Sequence, residues 1–469
     1  IMSYTLVKYG DHMAGDIEYA GYGLTKPRID INSDGTVIII GFSAWWGGGS
    51  KVKVYQYNSN AGWSPRGTGN EFTSTGTTYG NGVAINSDGT VIAISNPLAE
   101  AVVIWFWNGN TWISRGAMSH VAGGTGQGLS LNAAGNILAV GNEMNANPYA
   151  SPPSTYTGVI QIFKYSNDSV STGGGTWSRT GNKYDIVGRG VSPGGYFRIG
   201  GVLELNDAGD RIVVGQNVFD DDADELGVDD TTGSAYDGVV RVYQYDAIGV
   251  KWEQLGGDEM TGANVTGPGA KAGSAASINA DGSRVAFTIP WSSPTQVSSS
   301  MDAPGMVRVY EWNNSVWQKL GDDINCPDKS AARISLAINA VGNRIVIGIP
   351  YGQNKLGEQH WGLIKVYEYI LGLWVEISTE IGYKSSYQLG SNVRINDNGD
   401  KIIASAGGHF TGTAGGPVGG GEVVGYDLVP VTDTTAPILS SVTPVPTPSN
   451  NTTPSFTFNT TKAGTITFN

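Results

Sequence analysis

A short pattern, an apolar residue followed by Asn-x-x-Gly, recurs seven times along the 469 residues, at intervals of about 60 residues. Its asparagines are Asn32, Asn86, Asn132, Asn206, Asn279, Asn339 and Asn396. A largely β-branched run such as Val37–Ile40 follows each copy. We therefore expect each Asn-x-x-Gly to form a hairpin turn between two strands, with the glycine in the left-handed region.

Two further motifs follow each turn. The first is an alternating aromatic strand such as Val54–Tyr57 or Val366–Tyr369, and its seventh copy, Val423–Tyr426, is degenerate. The second, present in six of the seven repeats, is a tryptophan 8 to 15 residues after that strand begins, as at Trp252 and Trp317. Each repeat thus contains four short strands, here called A (ending at the Asn), B, C and D. Seven such units predict an all-β, seven-bladed β-propeller of four-stranded antiparallel blades.

Composition agrees with this architecture and excludes others. Glycine contributes 69 residues, aromatic residues make up 10% and charged residues only 15%. A disordered chain has few aromatic residues, and a coiled coil needs far more charge. Collagen needs glycine at every third position, which is absent here. A turn-rich β-protein remains, in which glycine supplies the positive φ angles of tight turns.

The first strand of the chain is predicted to complete the last blade. The seventh repeat lacks a D-strand tryptophan near Thr432–Thr434, whereas residues Tyr4–Asp11 align with the D-strand pattern Trp-x-x-Leu-Gly-Asp. We expect residues 3–10 to pair with the seventh C strand. Such pairing joins the two ends of the ring and removes the open sheet edges that promote aggregation.

The repeat resembles the FG-GAP class of propeller repeats, the class of integrin α-subunit heads and of many bacterial, algal and viral surface proteins. The aromatic-Gly half of that motif is visible at Tyr22-Gly23 and Tyr79-Gly80, and the Gly-x-Pro half at Gly348–Pro350. The resemblance covers about residues 3–428 and implies a propeller. The Asp-x-Asp-x-Asp-Gly calcium loop that this family often carries is intact in no repeat of this chain.

The C-terminal part of the chain differs in composition. Residues 1–429 form the predicted propeller, and residues 430–451 read as a Pro/Thr-rich linker. Residues 452–469 resemble the start of a bacterial Ig-like repeat, although a sandwich domain needs about 100 residues. Two explanations stay open: the natural protein continues in tandem Ig-like modules, or this segment pairs with another chain.

Charge and cysteine content narrow the partners and the compartment. The net charge is −13, so the surface repels phosphate backbones and we expect no nucleic-acid partner. No apolar run is long enough to insert into a membrane. The single cysteine, Cys326, permits no intrachain disulfide. These features fit an extracellular protein on a cell or virion surface.

The B–C loops carry the candidate ligand-binding residues. They vary most in length and contain Trp45, Trp46, Tyr149, Trp291 and Trp361 among glycines and serines. Loop aromatics of this kind stack on sugar rings or anchor a protein partner. The alternative is that they cap the apolar ends of blades or pack between blades.

The fourth B–C loop holds a candidate calcium site at Asp220, Asp222, Asp224 and Asp229. The first three have the i, i+2, i+4 spacing that lets carboxylate oxygens converge on Ca²⁺. The turn glycine comes at the eighth position, Gly227, instead of the sixth. The alternative is a solvated acidic loop that contributes solubility.

Three functions are compatible with these observations. The first is a non-enzymatic recognition or adhesion module that presents propeller loops to a glycan or protein. The second is an assembly subunit of a filament, sheath or virion, which could self-associate through the C-terminal segment. The third is a polysaccharide-active enzyme, for which the sequence offers no catalytic residue, because no Ser/His/Asp order, HExxH or nucleotide loop is present.

Overall fold

The computed structural model describes most of the repeated core of the chain. The described residues are 3–19, 27–43, 50–74, 79–96, 101–119, 125–143, 158–166, 175–180, 185–187, 199–216, 238–256, 260–261, 272–290, 305–326, 334–358, 361–383, 387–407, 418–431, 439–443 and 457–461. Within these ranges every regular element is a β-strand. No helix there is long and apolar enough to cross a membrane.

The strands follow the repeat. The first half of the chain contains β1 (Tyr4–Lys8), β2 (Met13–Tyr19), β3 (Arg28–Ile31), β4 (Val37–Phe42), β5 (Ser50–Asn58), β6 (Gly62–Pro65), β7 (Glu71–Ser74), β8 (Val83–Ile85), β9 (Val91–Asn96), β10 (Ala101–Trp107), β11 (Trp112–Ser119), β12 (Thr125–Leu131), β13 (Ile137–Asn142), β14 (Val159–Ser166), β15 (Thr176–Arg179), β16 (Ile186–Val187), β17 (Val202–Leu205) and β18 (Arg211–Gln216). The second half contains β19 (Val239–Asp246), β20 (Lys251–Gln254), β21 (Met260–Thr261), β22 (Ala276–Ile278), β23 (Arg284–Ile289), β24 (Gly305–Trp312), β25 (Trp317–Lys319), β26 (Ile324–Cys326), β27 (Ser335–Ile338), β28 (Arg344–Ile349), β29 (Leu363–Ile370), β30 (Leu373–Ile381), β31 (Leu389–Ile395), β32 (Lys401–Ala406), β33 (Val418–Pro430), β34 (Leu439–Thr443) and β35 (Thr457–Thr460).

These strands form seven antiparallel blades in the predicted A-B-C-D order. The sheets are β3-β4-β5-β6, β8-β9-β10-β11, β12-β13-β14-β15, β17-β18-β19-β20, β22-β23-β24-β25, β27-β28-β29-β30 and β31-β32-β33-β1. The innermost strands β3, β8, β12, β17, β22, β27 and β31 contact one another in that order, and β31 contacts β3 again. The predicted seven-bladed β-propeller is therefore confirmed.

The repeated asparagine explains why every A–B turn has the same shape. All seven asparagines are at most 3% exposed. The Asn32 side-chain oxygen, for example, accepts hydrogen bonds from the amides of Thr36 and Val37 at 2.9 and 2.8 Å. The turn glycine three residues later has a φ between +65° and +77° in all seven repeats. A residue with a Cβ adopts that conformation at a cost, so the glycine is required there.

A closed circle of main-chain hydrogen bonds joins the seven turns. The amide that follows each asparagine donates to the carbonyl at the same position of the next blade, over 2.9–3.2 Å. The members in order are Ser33, Ser87, Ala133, Asp207, Ala280, Ala340 and Asp397. The amide of Asp397 donates to the carbonyl of Ser33, the first member. That last bond, from Asp397 to Ser33 at 3.1 Å, closes the ring across the two ends of the propeller.

Aromatic pairs stabilise the outer strands of blades one to six. In each of these blades the D-strand tryptophan lies directly opposite a C-strand aromatic ring, as in Tyr57–Trp63 and Tyr369–Trp374, with ring centroids 5.2–5.5 Å apart. Several of these indoles also link blades. The Trp317 indole donates to the Leu255 carbonyl of the preceding blade at 3.0 Å. Cross-strand aromatic pairs of this kind stabilise a sheet by about 0.2–1 kcal/mol each.

The N-terminal strand occupies the D position of blade seven, as predicted. Strand β1 pairs with β33, and β2 also pairs with β33. The Tyr9 amide donates to the Gly425 carbonyl at 3.0 Å. In blade five, the Leu320 amide makes the equivalent bond to the Val309 carbonyl. The Trp63 indole of blade one donates to the Tyr9 carbonyl at 3.1 Å. The first residues of the chain therefore complete the last blade and also contact the first.

The chain divides into two compact units, of which Ser3–Val429 is the propeller. The other consists mainly of Pro430–Asn469. Within it, β34 and β35 form an antiparallel pair in which Ser440 lies opposite Asn459. The division of this segment into a linker and a partial Ig-like repeat stays a prediction.

Candidate functional site

The structure describes one of the residues that the sequence nominates for ligand binding. Trp361 is described, whereas the other candidates lie outside the described residues: Trp45, Trp46, Tyr149, Trp291, Asp220, Asp222, Asp224 and Asp229. Among the residues that are described, no three His, Cys, Asp or Glu side chains are grouped so that they could hold a metal ion. Calcium binding by the acidic loop stays a prediction.

Trp361 lies where the sixth B–C loop returns to the sheet. Its amide donates to the Gly352 carbonyl at 3.2 Å, and its carbonyl accepts from the Leu389 amide of blade seven at 3.3 Å. The side chain is half-buried, and its indole N–H is buried without an acceptor among the described residues. Trp361 therefore belongs to the junction between blades six and seven, on the face that carries the B–C and D–A loops.

Two tyrosines from the D–A connection of blade six lie beside it. The carbonyl of Trp361 packs so closely against Gly382 that a Cβ on residue 382 would clash with it. The Tyr387 ring would also contact a Cβ at this position. Tyr383 and Tyr387 contact each other with ring centroids 4.4 Å apart. Tyr387 is buried, whereas Tyr383 is 52% exposed. An aromatic ring is thus held at the surface by a buried aromatic neighbour.

Polar side chains from the N-terminal strand border the exposed ring. The Lys8 ammonium lies 3.2 Å from Nε2 of His12 and 5.8 Å from the centre of the Tyr383 ring. The other ring nitrogen of His12, Nδ1, contacts the Glu422 carboxylate. The Tyr383 hydroxyl donates to Glu422 at 3.5 Å. We call this group the seam cluster, since it lies where the two ends of the ring meet; it comprises Lys8, His12, Trp361, Tyr383, Tyr387 and Glu422.

The electrostatics of the seam cluster follow from burial and from Lys8. Partial burial and, next, the positive charge of Lys8 lower the pKa of His12, while Asp11 opposes them. Lys8 also acts on Glu380, a carboxyl outside the cluster: burial raises the pKa of Glu380, and the positive charge of Lys8 partly offsets that rise. Burial also raises the pKa of Tyr387. The lowered pKa of His12 favours its neutral imidazole, which contacts Lys8 through one ring nitrogen and Glu422 through the other.

A second polar group surrounds the propeller axis. The residue two positions before the repeated asparagine is polar in five blades: Asp30, Ser130, Glu204, Ser277 and Arg394. Asp30 accepts from the Ile85 amide of the next blade at 2.9 Å, and Ser130 accepts from Leu205 at 2.9 Å. Unpaired amides at the inner edge of a sheet are costly to bury, and these side chains satisfy them.

Charged members of this axial group perturb one another. Arg394 donates to Asp30 at 3.2 Å. Glu204 accepts from the Ser277 hydroxyl at 2.9 Å and from the Ile278 amide at 3.4 Å. Burial raises the pKa of Glu204 to about 7, an effect that Arg394 opposes and Asp30 reinforces. Burial likewise raises the pKa of Asp30. Both carboxylates are thus already engaged in contacts between blades.

The Glu204 carboxyl makes a testable contribution to stability. Its pKa in the folded chain lies above its ordinary value of 4.5, so protonation favours the folded state. This stabilisation is complete below about pH 4.5 and is lost as the pH rises through 7. Relative to Glu204→Gln, the wild-type chain should lose about 1–3 kcal/mol in free energy of unfolding between pH 5 and 8, measured by urea unfolding at both values. An equal pH dependence in the two proteins would contradict this assignment.

Sequence reasoning missed most of both groups. The axial residues could have been found from the sequence. When the seven repeats are aligned, the position two residues before the asparagine is polar in five blades, although the alternation of the strand predicts an inward-facing side chain there. His12 has a weaker signal, because it directly precedes the buried Met13, as Asp323 precedes the buried Ile324 in blade five and Glu71 precedes the buried Phe72 in blade one. Tyr383 and Glu422 follow no repeated pattern, and only the ring closure brings them near Lys8.

Comparisons with known proteins find only distant structural likenesses. No family and no curated protein matches the sequence. Similar solved structures include the outer coat vertex of COPII on membranes, with 10% identity, a TM-score of 0.49, and coverage of 88% of this chain and 86% of that one. A second is hydrazine synthase of Kuenenia stuttgartiensis, with 11% identity, a TM-score of 0.48, and coverage of 83% and 94%. A third is the propeller domain of Cps50 (Swd1) from Myceliophteria thermophila, with 10% identity, a TM-score of 0.45, and coverage of 86% and 99%. Likenesses this distant carry no information on function.

Proposed function

We propose that this chain is a non-enzymatic recognition module of an extracellular, cell or virion surface, which presents propeller loops to a glycan or protein ligand. One contrast carries the proposal. The seven turns of the A–B face share one geometry and one circle of hydrogen bonds. On the loop face, by contrast, the spacing from the asparagine to the C strand varies from 18 residues after Asn86 to 36 after Asn206. A uniform scaffold with variable loops is the arrangement on which binding sites are commonly built.

The seam cluster supports the same proposal from the described residues. It places a half-exposed tyrosine and the predicted Trp361 on the loop face. Tyrosine and tryptophan are the residues most enriched at binding hot spots. We also propose that the repeats are of the FG-GAP type and that residues 452–469 begin an Ig-like repeat. Both features would suit a surface protein.

Catalysis is less well supported by the side chains. Two carboxylates of raised pKa would favour a glycosidase if they faced a free cleft. Asp30 and Glu204 have raised pKa values, yet both accept hydrogen bonds from the next blade. We therefore interpret them as contacts that hold neighbouring blades together.

Assembly is a second candidate function, and exposed apolar turns favour it. On the face opposite the loops, Ile248 is 97% exposed, Leu371 is 99% exposed and Val341 is 66% exposed, in turns of blades four and six. The corresponding turns of blades one and two carry polar residues instead, Asn60 and Asn110. Exposed apolar side chains of this kind can mark a contact between copies. Self-association through the C-terminal segment is a further possibility within this candidate.

A glycan array, together with a screen of surface-protein ectodomains, tests recognition directly. We expect the full chain to bind a defined set of ligands, and Trp45→Ala with Trp46→Ala to weaken binding by about tenfold, the loss of a stacking contact of roughly 1.4 kcal/mol. The measurement should be made with and without Ca²⁺, because loss of binding on chelation would implicate the acidic loop. Silence in both screens, with sedimentation that depends on protein concentration, would favour assembly instead.

A further inference from the structure

We infer that the seam cluster is a subsite for a neutral saccharide, with the Tyr383 ring as the stacking platform. This inference deepens the proposed function and rests on it. It assigns a ligand class and a location to recognition, and it uses Lys8, His12 and Glu422, which the sequence did not nominate.

The platform is the first argument. Tyr383 exposes 52% of its surface, while its ring packs on the buried ring of Tyr387 at 4.4 Å. The C–H groups of a pyranose ring are weakly positive, and they are attracted to the negative face of an aromatic ring. Because Tyr387 holds the Tyr383 ring in place, less side-chain freedom is lost when a ligand binds.

The polar border is the second argument. A sugar hydroxyl both donates and accepts hydrogen bonds, so a saccharide site needs both kinds of group around the ring. The Lys8 ammonium has three donors, of which one faces His12 at 3.2 Å. The Glu422 carboxylate has about four acceptor positions and contacts His12 and the Tyr383 hydroxyl. Both donors and acceptors for ligand hydroxyls therefore lie near the ring.

The local charge selects among ligand classes. His12 lies between Lys8 and Glu422, so among the described residues one carboxylate accompanies the Lys8 ammonium, and the cluster carries no excess of positive charge for an anionic sugar. A protein partner would need about 800 Å² of surface with few charges at its centre. Among the described residues, the seam cluster instead has one exposed ring, which is bordered by charged groups. This arrangement fits a neutral hexose best.

The test is saturation-transfer NMR of the full chain with methyl glycosides of glucose, galactose, mannose and N-acetylglucosamine, and with methyl glucuronide as the anionic comparison. We expect millimolar binding of at least one neutral glycoside. Tyr383→Ala should weaken it by about tenfold. Tyr383→Phe keeps the ring and should retain binding to within about threefold, which corresponds to less than about 1 kcal/mol. Leu371→Ala, on the opposite face, is the matched surface control and should bind as wild type does.

The possible failures are distinguishable. If Tyr383→Ala binds as tightly as wild type while Trp45→Ala and Trp46→Ala do not, the seam assignment is wrong and the proposed function stands. If methyl glucuronide binds more tightly than the neutral glycosides, the ligand class is wrong. If no glycoside binds, the saccharide inference is overturned, and the array and ectodomain screens alone decide the proposed function. Equal melting temperatures of all variants exclude misfolding as the cause of a loss.

Discussion

Removal of residues 1–19 is expected to abolish cooperative folding of the ring. These residues supply β1 and β2, the D strand of blade seven, and Leu6, Tyr9 and Met13 are buried there. Burying each such side chain stabilises the folded chain by about 1.5–3 kcal/mol. Their loss, with the exposed edge of β33, therefore approaches the roughly 5–15 kcal/mol by which a typical domain is stable. Thermal unfolding by circular dichroism should show no cooperative transition above room temperature.

A matched truncation at the other end provides the control. Removal of residues 430–469 leaves every blade of the propeller complete, so its melting temperature should stay within a few degrees of the full chain. A synthetic peptide of residues 1–19 should restore cooperative unfolding to the N-terminal truncation, because the strand binds through the same main-chain bonds. A truncated chain that melts at the wild-type temperature would show that the ring does not need this strand.

Substitution of Gly41 by alanine is expected to cost about 3 kcal/mol of unfolding free energy or more, the upper range for overpacking against rigid backbone. A Cβ at Gly41 would lie far inside contact distance of the Gly80 carbonyl in blade two. Gly141 and Gly200, Gly215 and Gly273, and Gly348 and Gly390 meet in the same way across three other blade interfaces. Each of these pairs joins a glycine near the end of a B strand to a glycine at or just before the A strand of the next blade.

Gly69→Ala is the matched control for the steric part of this effect. Gly69 has a φ of +77°, and a Cβ there would meet no atom within 4 Å. Its substitution should cost only the backbone strain, about 1 kcal/mol. Urea unfolding of the two variants measures the difference. Equal destabilisation would mean that the interface between blades one and two yields to a methyl group.

The sequence predicted the parts of the fold that repeat. The Asn-x-x-Gly turns and the C-D strand pairs depend on neighbours within a few residues, and each was present seven times, or nearly so, to be recognised. The closure by residues 3–10 could be predicted because one D strand was missing from the count. The circle of hydrogen bonds could not, since it joins backbone atoms of different blades that no side-chain pattern marks.

The functional groups were harder to predict for a related reason. Lys8 and Tyr383 are neighbours in space and far apart in the chain, and Tyr383 lies outside the repeated pattern. Trp361 was predicted to bind a ligand, and this role stays a prediction; its half-buried indole leaves Tyr383 as the more exposed ring. The raised pKa values of Asp30 and Glu204 would suggest a catalytic pair. Their hydrogen bonds to the next blade indicate instead that they hold neighbouring blades together.

Both functional proposals require one rigid ring that is closed by the pairing of its two ends. Hydrogen–deuterium exchange of the full chain tests this claim most directly, by comparing peptides that cover β1 with peptides that cover β25 of blade five. The ring predicts that the amides of Tyr4–Lys8 are protected as strongly as those of Trp317–Lys319, because both strands hold the same position in a blade. Exchange of Tyr4–Lys8 within seconds, beside a protected Trp317–Lys319, would contradict the closed ring.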